Sequence, residues 1–232
     1  MITKNISLLE GLAADFNEAI KRVFKQEGGY QNSAKDAGNF YNGVNYGTKL
    51  GVTPAAYISY YKTPLQPDTI KNLTTDKAAP IYRQNYWDKI RGTDIANDSI
   101  ANLLTFLVVN SGTGQLMTIK KVMNTTAGKK IVAETFTPLT KQEVELLNNL
   151  DQELFFNNIK AVRRKFYNDL AKNKPSQAVF LTGWLRRLEE HKFSGKTSNK
   201  RVFLYVLGGL ALAGGAYYVY NNYSNRQAGP KS

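Results

Sequence analysis

The sequence predicts a mainly α-helical domain over residues 1–193, followed by one C-terminal transmembrane helix over residues 202–220. Three observations carry this prediction. Apolar residues recur at helical spacing through most of the chain. Capping residues stand in front of several of those runs. Residues 202–220 hold no charge over a length that matches one bilayer span.

The first helix is expected over residues 9–27. Leu9, Leu12, Ala13, Phe16, Ile20, Val23 and Phe24 share one face, and Glu27 takes the next position on it. Gly28-Gly29 follows and is expected to end the helix, because glycine reaches the left-handed cap conformation cheaply. Residues 31–45 form a polar loop with Asp36, Gly38, Asn42 and Gly43, too long for a simple turn. Thr53-Pro54 starts a short helix by N-cap and first-turn logic. Thr74-Thr75-Asp76 starts the next, with Pro80 in its first turn and Ile81, Tyr82, Tyr86 and Trp87 along it. Residues 99–109 read as a buried helix, interrupted by residues 110–114 and resumed over 115–123. Thr140-Lys141-Gln142-Glu143 is a capping box. Helices over 152–172 and 176–192 complete the domain.

Residues 194–201 read as a linker, and residues 221–232 as a short polar tail. Tyr205 near one end of the apolar stretch, and Tyr217, Tyr218 and Tyr220 at the other, suit the two faces of a bilayer. Gly209 and Ala213, and Ala211 and Gly215, place small residues where such a helix would pair with a copy of itself. The lipid bilayer is thus an expected partner, and a membrane, through a single-pass C-terminal anchor, the expected location. Met1-Ile2-Thr3-Lys4-Asn5 leads straight into an amphipathic helix, so no signal peptide is expected.

The chain has no cysteine and one histidine, His191. That argues against a disulfide framework, thiolate chemistry and a zinc site, so no metal or cofactor is expected and carboxylates become the acid–base groups. The net charge of +13 favours a polyanionic partner or serves solubility. Basic runs are short, as in Lys129-Lys130 and Arg186-Arg187, and no nucleic-acid-binding motif accompanies them, so no specific nucleic acid is expected.

Glu27 is the feature with chemical content. A carboxyl at the end of a core helix feels partial burial and the negative end of the helix dipole, and both disfavour its charged form. A general acid working near neutral pH needs such a raised pKa. The bland alternative is a solvated glutamate at a frayed helix end.

With the loop after Glu27 in view, the chain resembles a glycoside hydrolase family of phage and prophage muramidases. The motifs are Glu27-Gly28-Gly29-Tyr30, Asp36-Ala37-Gly38 and Asn45-Tyr46-Gly47, then Ile81-Tyr82-Arg83, Tyr86-Trp87-Asp88, Val109-Asn110-Ser111-Gly112, and Phe180-Leu181-Thr182-Gly183-Trp184-Leu185-Arg186-Arg187. The similarity spans roughly residues 10–190. It implies a lysozyme-like, two-lobed helical domain with a sugar-binding cleft, Glu27 as the catalytic acid, and a peptidoglycan-binding half over about residues 110–190. The chain departs from the family pattern at Val44, where a hydroxyl is expected before Asn45, and at Phe106, where an aspartate is expected.

Hydrolysing a glycosidic bond takes a proton donor and, on the other face of the sugar, a base or nucleophile. Asp36 is the candidate second carboxylate, with a turn-capping aspartate as its alternative reading. Tyr30, Tyr46, Tyr86 and Trp87 are candidates for stacking on sugar rings, although burial serves Tyr86 and Trp87 equally well. Asn45 belongs to the same loop element, and Asn110 offers amide hydrogen bonds to an acetamido group or caps a helix. The expected function is an N-acetylmuramidase acting on peptidoglycan glycan strands, used by a phage in infection or host lysis. A lytic transglycosylase, and a membrane-anchored wall-binding or virion structural protein with a degenerate site, are the alternatives.

Overall fold

The computed structural model describes residues 14–195. Among them are eight α-helices, and the fold is mainly helical. Helix α1 (Phe16–Gln26) starts later than the periodicity predicts. Asp15 caps it, Oδ1 accepting from the Asn17 N–H at 2.8 Å, while the Ala14 N–H is drawn away to the Ile95 carbonyl. Leu9, Leu12 and Ala13 lie outside the described residues. The end of α1 also differs from expectation. Glu27 turns extended (φ −79°, ψ 144°), and neither Gly28 nor Gly29 takes a positive φ. The helix therefore stops without a left-handed glycine cap.

The polar loop holds a two-residue hairpin, β1 (Phe40–Tyr41) against β2 (Val44–Asn45), antiparallel. Its turn is Asn42-Gly43, both at positive φ, the combination that matches strand twist in a tight hairpin. Helix α2 (Pro54–Tyr61) carries the expected Thr53 cap and first-turn proline. Helix α3 (Thr75–Tyr82) is capped by Thr74, but Pro80 sits inside it rather than in its first turn, and the chain passes directly into a π turn over Arg83–Trp87. A proline has no N–H to donate to the helix ladder, so a widened turn beside it fits its chemistry.

Helices α4 (Asp98–Ser111), α5 (Gln115–Ala127), α6 (Lys141–Asn148) and α7 (Gln152–Asn173) follow close to their expected places, α6 with both halves of its capping box formed. The last expected helix is split into a 3-10 turn, Pro175–Phe180, and α8 (Leu181–Glu189).

Buried side chains form two clusters. The larger gathers Trp87, the apolar face of α4, and Leu116, Ile119, Val144, Phe155, Ile159 and Leu188. The smaller joins Ile20 and Val23 of α1 to Val52, Leu73, Ala78, Ile81 and Tyr82. Phe16 and Tyr86 touch both, so α1 and the π turn straddle the seam between them.

The expected fold class needs one correction. Among the described residues no helix is long and apolar enough to cross a membrane. The stretch 202–220, with its predicted span, bilayer contact and self-association, lies outside the described residues. Over the described residues the fold is the mainly helical domain, with no transmembrane helix among them.

Candidate active site

Glu27 is the C-cap of α1. Its N–H still donates to the Val23 carbonyl at 3.0 Å while its side chain leaves the helix, half-buried. A backbone strap brings neighbours to it. The Gln31 N–H donates to Thr48 O at 2.9 Å, the Thr48 N–H returns to Gln31 O at 2.7 Å, and the Leu50 N–H donates to Gly28 O at 3.2 Å. Residues 48–51 thus run back alongside residues 28–31. Gly51, at φ +67°, ends the strap against the Glu27 carboxyl. A Cβ there would lie 2.8 Å from Glu27 Oε2 and would also strike the Tyr82 hydroxyl. Glycine is required at this position twice over, by its backbone angle and by this close approach.

Tyr82, buried on α3, donates its hydroxyl to Leu50 O at 2.9 Å. Its ring meets Phe24 edge-on at 5.4 Å and lies 5.5 Å from Tyr86. Burial raises the Glu27 pKa, and the positive charge of Arg187 on α8 pulls against that rise. Burial also pushes the Tyr82 phenol upward, with the Glu27 and Tyr86 charges adding to it. The result is a carboxyl with a raised pKa beside a phenol that stays neutral.

Asp36 caps the 3-10 turn Ala37–Asn39, Oδ1 accepting from the Gly38 N–H at 2.9 Å. Its Oδ2 accepts from Gln31 Nε2 at 2.8 Å. Both oxygens therefore hold the loop together. Asn39, fully buried, is the hub of that loop. Its Nδ2 donates to Gln31 Oε1 and Ser33 O, its Oδ1 accepts from Gln31 Nε2, and its carbonyl accepts from the Tyr46 and Gly47 N–H groups. Asn45 donates through Nδ2 to Asn32 O and accepts from the Gly47 N–H, so its amide is spent on loop shape. Tyr30 is 37% exposed and rests its ring against Gly47, where no side chain would fit. Tyr46 is half-buried in the same loop.

The structure brings Glu27, Tyr82, Tyr86 and Gly51 together, with the loop bearing Tyr30, Asp36, Asn45 and Tyr46 strapped alongside. Trp87 is corrected to a core residue. It is 1% exposed, donates Nε1–H to Thr93 Oγ1 at 2.9 Å and packs on Phe16, so it presents no face to a sugar. Asn110 is exposed, and its Nδ2 bonds back to Phe106 O on its own helix at 2.9 Å. Phe106 is buried in the larger cluster with its ring 4.7 Å from His191. Val44 is exposed on β2. A polar cavity lined by Asp15, Glu18, Arg22, Asp98, His191 and Lys192 lies toward the other end of α1 and contains none of the expected site residues.

Sequence reasoning missed Tyr82, Gly51 and Arg187 as members of the site. Tyr82 stood within a recognised motif, one turn before Tyr86. Nothing local marked Gly51 or Arg187, which reach Glu27 only through the tertiary fold.

Comparisons with known proteins bear on this geometry. Residues 20–112 match the family model described as Glycosyl hydrolase 108, and residues 128–189 match the Predicted Peptidoglycan domain. No curated protein matches the chain. Among solved structures, that of SagA from Brucella abortus is similar, with a TM-score of 0.52 and 21% identity, covering 76% of this chain and 94% of that one. At that identity the likeness concerns the fold alone. Glu27, Gly51 and Tyr82 fall within the first matched region and Arg187 within the second. The chain thus carries a region matching the Glycosyl hydrolase 108 model followed by one matching a predicted peptidoglycan domain, and these two matches support a glycoside hydrolase acting on peptidoglycan.

Proposed function

We propose that the protein is an N-acetylmuramidase that cuts the peptidoglycan glycan strand with Glu27 as general acid. The observation that carries this reading is the half-buried Glu27 carboxyl, its pKa raised by burial, beside the Tyr82 phenol within the glycosyl hydrolase region. The protonated carboxyl gives its proton to the glycosidic oxygen as the C–O bond breaks. The leaving sugar departs as an alcohol, and positive charge develops on the ring left behind. Water then adds to the anomeric carbon, and its proton is returned to the site. A phage setting, in infection or release, rests on the family resemblance.

One observation favours a second reading. Both Asp36 oxygens are engaged in the loop, so a reaction needing no water-activating carboxylate also fits. In a lytic transglycosylase the muramic acid closes on itself, and its product is lighter by one water.

The experiment is lysis of purified peptidoglycan by the wild type and by Glu27→Gln, with mass spectrometry of the products. Glu27→Gln keeps size and hydrogen bonding but has no proton to give. Its rate should fall by at least about a hundredfold, the scale for loss of an acid–base group. Near-normal lysis by a folded Glu27→Gln variant removes Glu27 from the mechanism. A reducing end carrying one added water supports the hydrolase, and an anhydro end supports the transglycosylase.

A further inference from the structure

Helix α8 and the 3-10 turn before it present a face that the catalytic reading uses only at Arg187. At 3.6 residues per turn, Phe180, Trp184 and Arg187 fall within about 60° of one another around the helix. Phe180 is 51% exposed, and Val179 beside it is 76% exposed. The Phe180 ring lies 5.9 Å from Trp184, which stacks on Tyr167 at 5.3 Å and 23°. Tyr167 is backed in turn by the buried Arg163 guanidinium at 4.3 Å. This aromatic ladder is therefore held rigid from behind while its last ring faces outward.

Gly183 lies between these residues, and a Cβ added there would meet nothing within 4 Å. The helix backbone is thus open to an approaching ligand at the edge of the face, on the Arg187 side, about 100° around the helix from Trp184. At the far end, half-buried Arg187 makes no hydrogen bond or ion pair within the described residues, and its charge reaches Glu27. Between Asp169 and Glu189 there is no acidic residue, while Lys172, Lys174, Arg186 and Arg187 are all cationic.

We infer that the face formed by Phe180 and the α8 residues Gly183, Trp184 and Arg187 is a binding subsite for the peptidoglycan glycan strand with its acidic stem peptides, leading it to Glu27. The inference rests on the peptidoglycan-hydrolase reading and names where the second region grips the substrate. Sugar rings carry C–H faces that pack on an aromatic plane, and the open glycine lets a ring approach the helix. The carboxylates of the stem peptides carried on muramic acid supply a counter-charge to Arg187, which forms no ion pair among the described residues. A rise of about 1.5 Å per residue sets Phe180 and Arg187 about 10 Å apart along the axis, the reach of a short run of sugars.

The test measures binding without turnover, in the full-length chain carrying Glu27→Gln. Gly183→Leu and Phe180→Ala are added to it, and sedimentation with purified peptidoglycan sacculi is compared with chitin and with anionic phospholipid vesicles. Leucine favours helix over glycine, so Gly183→Leu should melt no lower than its parent. It should nevertheless bind sacculi at least about tenfold more weakly. Phe180→Ala should show a similar loss, and chitin should bind more weakly than sacculi throughout. Sacculus binding within twofold of the parent in folded Gly183→Leu and Phe180→Ala overturns the inference. So does a loss confined to vesicles, which would make the face a membrane contact. Lysis by the Glu27→Gln protein is scored separately, so failure of the catalytic reading and failure of this one are distinguishable.

Discussion

Residues 28–52 hold their shape with side-chain hydrogen bonds, whereas α4 and α5 hold theirs with buried apolar surface. In the first segment the central buried side chain is polar: Asn39 ties together Gln31, Ser33, Tyr46 and Gly47. In the second, Ile100, Leu103, Leu104, Leu107, Leu116 and Ile119 are almost wholly removed from water. The two constructions fail differently. Removing apolar volume costs stability of the whole domain, since core packing is shared. Removing one polar hub unmakes a local shape while the scaffold behind it stands. Residues that need exact placement without deep burial, such as Glu27, are therefore served by a hydrogen-bonded strap resting on an apolar support.

Three substitutions sharpen this contrast. Leu104→Ala, at a fully buried α4 position, should lower stability by about 2–5 kcal/mol. Chemical denaturation would show it, and the folded fraction should keep its lytic rate. Asn39→Ala should cost about 1–3 kcal/mol, because its partners are left unsatisfied in a partly buried loop. Its lytic rate should fall by more than its stability does, measured well below the melting transition. If Asn39→Ala retains full activity, the loop does not position the site. Tyr82→Phe removes only the bond to Leu50 O and should cost about 1 kcal/mol. Its signature is a loosened strap, seen as faster amide exchange at Thr48 and Leu50 with α4 unchanged.

The helical scaffold was legible in the sequence because its signals are local. Thr53, Thr74 and Thr140 each cap the helix that their position announces, and the apolar period of α4 marks a buried helix. Expectation failed where a distant partner decides. Asp15 rather than the continuing apolar stripe sets the start of α1, and Ala14 leaves it for Ile95. Glu27 was legible as an interruption of an apolar face. Its setting was not, because Gly51, Tyr82 and Arg187 arrive from other elements. Trp87 shows the converse: an aromatic beside a recognised motif reads equally as a sugar platform and as core, and only packing against Phe16 and Gly92 decides for core.

The burial of His191 has a consequence for what a titration of this molecule can report. Its ring lies against Phe106, and burial first, then the charges of Arg22 and Lys160, hold its pKa down to about 4. It is the chain's one histidine, and there is no cysteine. Tyr82 is displaced in the opposite direction, away from neutrality. Between about pH 5 and 8 the usual side-chain candidate for gaining or losing a proton is silent. A rate profile bending in that interval would not belong to His191, and Glu27, whose pKa burial raises, is the group to test against it. The titration of the proposed acid would then be read without a histidine background.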